Sequence, residues 1–131
     1  VDDEPSVLEL FRRVLSRDGH RVHVAASSEE AVSEFTRADF DLLVVDKSLP
    51  GVDGFDLLAS LRALDPSLPA IMVTASPDPG FSTRPVRLQG YLPKPFQSLK
   101  QVSATVQRVL EMAAMFRGSR VSTLMAAHDS P

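Results

Sequence analysis

Two kinds of hydrophobic pattern take turns along this chain: amphipathic stretches with helical spacing, and short runs that are apolar throughout. From Pro5 to Asp18, Val7, Leu8, Phe11, Val14 and Leu15 recur on one face, with proline at the start and Gly19 just past the end. That is a helix with its usual start and stop residues. His20–Ala25 reads as a short strand, and Ser27 with Glu30 forms a capping-box pattern opening a helix to about Ala38. Leu42–Asp46 is an apolar run closed by an acid, and so reads as a strand covered on both faces. Gly54–Leu64 is a helix with Phe55, Leu58 and Leu61 inward, stopped before Pro66. Ala70–Thr74 and Gly90–Leu92 are two further strands. A long helix follows from Gln97 to about Phe116, with Val102, Val106, Val109, Leu110 and Ala113 on its inner side. Strands separated by helices imply crossover connections and a parallel sheet with helices on both faces.

The pattern breaks in two places. A helix is due between the last two strands, yet residues 75–90 contain Pro77, Pro79, Gly80 and Pro85. Proline inside a helix costs about 3 kcal/mol, so the fourth helix is expected to be short or disordered. At the other break, Asp2-Asp3 reads as the end of a strand whose body precedes Val1, since the sheet needs that strand at its centre.

Length and composition narrow the class. The 131 residues suit one domain with a single core, and the boundary is expected near residue 116, with residues 117–131 a tail or linker. No apolar run approaches the roughly 20 residues of a membrane span. The acidic start Val1-Asp2-Asp3-Glu4-Pro5 is no signal peptide. Cysteine is absent, which excludes disulfides and thiolate chemistry and fits a cytoplasmic protein. The net charge of −3 argues against a general nucleic-acid surface. His20, His23 and His128 lack metal-ligand spacing.

In an open α/β sheet, ligands bind outside the carboxyl ends of the strands. Four polar features fall there: Asp2 with Asp3, Asp46, Thr74 and Lys94. Asp46 alone could serve chemistry, a metal or a turn. Together the features are more specific, because the fold brings them to one rim. Three carboxylates would repel one another unless a cation lay among them. Oxygen ligands without His or Cys suit Mg²⁺, which keeps waters and leaves room for a phosphate oxygen. Lys94 and Thr74 could then hold the remaining phosphoryl oxygens. The chemistry so assembled is phosphoryl transfer to a carboxylate, with Asp46 as nucleophile.

The segments Val1-Asp2-Asp3-Glu4-Pro5, Val45-Asp46, Leu49-Pro50-Gly51-Val52-Asp53-Gly54, Val73-Thr74-Ala75 and Tyr91-Leu92-Pro93-Lys94-Pro95-Phe96 resemble a bacterial response-regulator receiver domain over about residues 1–116. The resemblance implies a flavodoxin-like, doubly wound, five-stranded parallel sheet of order 2-1-3-4-5. It implies Mg²⁺-dependent phosphorylation of Asp46 by a sensor histidine kinase or phosphotransfer protein, with self-catalysed dephosphorylation and no other enzyme activity. Asp2 and Asp3 would serve the metal with Asp46, and Ser48 would add its backbone carbonyl. Thr74 and Tyr91 would be the switch pair, and Lys94 would pair with the phosphoryl group. Homodimerisation stays open.

The chain departs from the family pattern in two ways. Lys47 is basic where the family more often has an apolar residue, and the 75–90 segment replaces the usual fourth helix. A degenerate receiver acting only as an interaction module is therefore the second reading. The acid pair, Asp46, Thr74 and Lys94 favour the first, because a pure scaffold needs none of them. An aspartyl-phosphate phosphatase of the haloacid-dehalogenase type needs a second acid two residues after the nucleophile, and here that residue is Ser48.

Overall fold

The computed structural model describes residues 1–75 and 86–124. Along these residues the elements run α1 (Pro5–Arg17), α2 (Ser28–Phe35), β1 (Leu43–Asp46), β2 (Ser48–Leu49), β3 (Val52–Asp53), α3 (Gly54–Leu64), β4 (Ala70–Thr74), β5 (Gly90–Pro93) and α4 (Leu99–Leu124).

Local chemistry sets most of the helix ends. Gly19 takes a positive φ of 94° past α1, its N–H donates to the Ser16 carbonyl, and the His20 N–H donates to that of Leu15. This crossed pair of bonds satisfies carbonyls the helix leaves open, and the left-handed residue it needs is glycine. Ser27 Oγ accepts the Glu30 N–H at 3.2 Å, while the Glu30 carboxylate accepts the Ala26 N–H at 2.8 Å. Helix α2 stops at Phe35, earlier than the expected Ala38, because the Thr36 hydroxyl takes the Ser33 carbonyl and the chain tightens there. Helix α4 instead outruns its expected end near Phe116 and reaches Leu124. Gly118 costs a helix only about 1 kcal/mol, and no proline lies nearby to enforce the stop.

Strands β1, β4 and β5 form a parallel sheet in the order β1-β4-β5, with Asp46 opposite Val73 and Thr74 opposite Pro93. On the free side of β1, the Asp46 N–H donates to the Val1 carbonyl at 2.9 Å, and Asp2 N–H reaches the Ala25 carbonyl at 3.1 Å. Residues 1–2 thus lie between β1 and the 20–25 segment, which is the expected order 2-1-3-4-5. The extent differs: His20–Ala25 is not a regular strand, because a single described backbone bond ties it to its neighbour, and one bond makes no ladder. The short hairpin β2–β3, turning through Pro50 and Gly51 with φ of 70° at the glycine, was not expected as strands.

The sheet is covered on both faces, which explains its unbroken apolar runs. Ala70 and Met72 face one buried cluster with Leu43, Val45, Phe55, Leu58 and Leu61. Ile71 and Val73 face the other, with Phe11, Val14, Leu92, Val102, Val106 and Val109. Alternation along β4 therefore packs α3 on one side and α1 with α4 on the other. Among the described residues no helix is long and apolar enough to cross a membrane. The proline-bearing segment 76–85 lies outside the described residues, as do 125–131 of the expected tail.

Candidate functional site

Parallel strands in register carry their carboxyl ends to one rim. Asp46 closes β1, Thr74 closes β4, and Lys94 follows β5 with its N–H on the Thr74 carbonyl at 2.8 Å. Asp2 and Asp3 arrive beside Asp46 through the Val1 backbone bonds. One oxygen from each of Asp2, Asp3 and Asp46 lies within 4.8 Å of the others. Asp2, Asp46 and Thr74 are buried, and Asp3 is exposed. All the expected acids thus meet at one point, with the hydroxyl-bearing strand end beside them.

Three packing features fix that rim. At the start of α3, a Cβ on Gly54 would collide with the Asp46 carbonyl oxygen and come within 3.0 Å of Lys47 Cα. Glycine is what lets the helix start so close to the end of β1. Asp53 caps the same helix by accepting the Phe55 N–H at 2.7 Å. On the β5 side, the Phe96 ring meets Phe11 edge-on at 5.4 Å and ties the Lys94–Phe96 loop to α1. The Lys94–Pro95 peptide is cis.

Lys94 Nζ stands 2.8 Å from Asp2 Oδ2, 3.0 Å from Glu4 Oε1 and 3.7 Å from Asp46 Oδ2. Burial alone would lower its ammonium, but Asp2, Glu4 and Asp46 outweigh burial and push it up to about 12. Asp46 is pushed above the ordinary 3.8, first by burial and then by Asp2, against the pull of Lys94 and of a hydrogen bond from the Ser48 N–H. Although Lys94 is close, Asp2 Oδ2 makes no hydrogen bond of good geometry and is fully buried. A buried carboxylate oxygen with an ionic neighbour and no hydrogen bond is suited to a metal. The donor set of three carboxylates fits Mg²⁺, a hard cation held by oxygen.

Ser48 lies opposite Asp53 in the hairpin, one pair out from Leu49 and Val52. Pairs next to a two-residue turn alternate between bonded and open, so the Ser48 N–H and carbonyl point away from Asp53. Its N–H goes to the Asp46 carboxylate. Tyr91 lies opposite Met72 and shares the sheet face of Thr74, one strand across and two residues back. It is 43% exposed. Lys47 is half-buried.

Sequence reasoning missed the use made of Glu4, which enters the Lys94 cluster from the start of α1. An acid just before a helix-opening proline was the only available signal. A cavity of about 750 Å³ lies between α1, the 20–25 segment and β1 and reaches the rim only at Asp2. Neither Asp46, Thr74 nor Lys94 lines it, so we assign the chemistry to the open rim.

A family model described as the response regulator receiver domain matches residues 1–107. The chain belongs to this family. It is a signalling module of two-component systems, of a kind that binds Mg²⁺ through acidic residues and works with histidine kinases. Its relatives include the transcriptional regulatory protein TcrA of Mycobacterium tuberculosis, 38% identical over 73% of this chain and 39% of that protein. The sensor kinase CckA of Brucella abortus is 38% identical over 85% of this chain and only 12% of its own length. Among solved structures, the chemotaxis protein CheY4 of Vibrio cholerae matches with TM-score 0.77 and 28% identity, over 82% of this chain and 92% of that one. The chain thus spans well under half of the curated relatives, and receivers of this sequence type occur in both regulators and kinases.

Proposed function

We propose that this receiver is a phosphoacceptor switch in which Asp46 takes a phosphoryl group from a sensor histidine kinase or phosphotransfer protein. The observation that carries the reading is the meeting of Asp2, Asp3 and Asp46 within 4.8 Å, with Lys94 at their edge. In the transfer, an Asp46 carboxylate oxygen forms the new bond to phosphorus while the donor's phosphorus–nitrogen bond breaks, leaving its electron pair on the histidine nitrogen. Asp2, Asp3 and Asp46, with the Ser48 carbonyl, would hold Mg²⁺, which neutralises charge on the phosphoryl oxygens. Lys94 supplies a fixed positive charge to one of those oxygens, and the Thr74 hydroxyl donates to another. Tyr91, on the face of Thr74, then moves from its exposed position as Thr74 is drawn to the phosphoryl group. Hydrolysis of the acyl phosphate at the same site resets the switch, so the protein acts catalytically on itself alone.

The reading puts the domain in the cytoplasm and gives it no direct nucleic-acid contact. A pure interaction module would have no use for the buried acids or the lysine they share. Phosphoramidate with Mg²⁺ should label the wild-type protein and leave Asp46→Asn unlabelled. Incorporation at the wild-type level in Asp46→Ala would sink the assignment.

A further inference from the structure

We propose that Glu4 is a positioning residue that holds Lys94 on the α1 side of the rim in the resting protein and competes with the phosphoryl group for it. The inference rests on the phosphoacceptor reading of Asp46. Glu4 is the residue before the first turn of α1, where a side chain commonly caps the helix, yet it makes no capping bond. Its carboxylate instead reaches Lys94 Nζ at 3.0 Å, across 90 residues of sequence. Its own N–H donates to Asp2 Oδ1 at 2.9 Å. One residue thus braces an acid of the proposed metal site through its backbone, and the cation through its side chain.

The distances rank the partners of Lys94. Asp2 and Glu4 lie within hydrogen-bonding range, whereas Asp46 at 3.7 Å lies outside it. To bond a phosphoryl oxygen on Asp46, the ammonium must give up a near partner. Asp2 is only 4% exposed at its side chain and has an oxygen within 4.8 Å of one on Asp46, so the ammonium can shift toward Asp46 and stay near Asp2. Glu4 is 57% exposed, and water takes over its carboxylate readily. Glu4 is therefore the contact that opens. Its hold on Lys94 shifts the switch toward the resting state, by a small factor typical of an exposed pair.

Glu4→Gln removes the charge. Glu4→Asp keeps it but shortens the arm by one methylene, so the carboxylate no longer spans to Nζ. The chain has one tyrosine, Tyr91, and no tryptophan, so tyrosine fluorescence reports on the proposed switch. The experiment titrates beryllofluoride, with Mg²⁺ saturating, into the full chain and both variants. We expect both variants to bind about two- to fivefold tighter than wild type, the range an exposed ion pair supports. Tighter binding by Glu4→Gln with wild-type affinity in Glu4→Asp would mean plain charge repulsion and overturn the restraint. Unchanged or weaker binding in both would overturn it as well, while leaving the phosphoacceptor reading intact. Failure of the wild type itself to bind would bring down that reading, and this inference with it.

Discussion

At the scale of single residues, the rim holds more negative charge than a folded chain accommodates without cost. Burial and Asp2 raise the Asp46 carboxyl above 3.8, so the folded protein holds that proton more tightly than the unfolded chain does. Stability linked to Asp46 is therefore greatest when the carboxyl is protonated, and falls as pH rises from about 3.8 through the raised value. Without Mg²⁺, Asp46→Asn should be more stable than wild type at neutral pH, and the gap should close well below pH 3.8. Urea unfolding of the two proteins across pH tests the sign; a constant gap would mean that Asp46 ionisation is not its source. Asp46 itself was legible from its place after Val44 and Val45. Asp2, Asp3, Thr74 and Lys94 were legible in the same way, from their places at strand ends, whereas Glu4 was not, since it meets Lys94 only across 90 residues of sequence.

Helices and strands bring a second set of constraints, centred on how α3 meets β1 and how the β5–α4 loop meets α1. Gly54 has no room for a methyl group beside the Asp46 carbonyl. Gly54→Ala should cost about 1–3 kcal/mol, as overpacking does, and should weaken Mg²⁺ binding by shifting the end of β1. Denaturant midpoints and metal titration measure the two effects, and an alanine variant matching wild type in both would show the junction to be soft. The Phe11–Phe96 edge contact is worth about 0.5–1.5 kcal/mol beyond burial, so Phe96→Leu should lose roughly that much and loosen Lys94. Reduced beryllofluoride affinity in Phe96→Leu is the expected mark of that loosening. The starts at Ser27 with Glu30 and at Pro5, and the stop at Gly19, were readable because caps are local. The end of α4 was not, because a lone glycine is a weak signal either way.

For the whole molecule, β4 is paired on both edges, by β1 and β5, and lies between the two buried clusters, with all five residues buried. Its amides should be among the slowest to exchange, and exchange of Ile71–Val73 as fast as that of α1 would contradict the packing. The proposed Mg²⁺ site of Asp2, Asp3 and Asp46 exists only in the folded arrangement, so Mg²⁺ should stabilise the protein as a whole. With affinity near millimolar, as a few carboxylates and waters provide, Mg²⁺ at ten times the dissociation constant should add about 1.4 kcal/mol. Asp3→Ala should lose most of that gain in a thermal melt. A wild-type midpoint indifferent to Mg²⁺ would remove the metal site.

Periodicity, caps and the acids at strand ends are written within a few residues of one another, so the sequence alone determined the α/β class, most helix starts and the candidate rim. Tertiary structure decided what depends on contacts between distant segments. The 20–25 segment lies alongside Asp2 with one described backbone bond in place of a ladder. Pro50 and Gly51 close a hairpin that presents Ser48 to Asp46. Glu4 spends its carboxylate on Lys94 rather than on its own helix. Apart from the Pro50–Gly51 turn itself, none of these is encoded by a local preference. Each follows from which surfaces the folded sheet brings together, and that is settled only when the long-range contacts form.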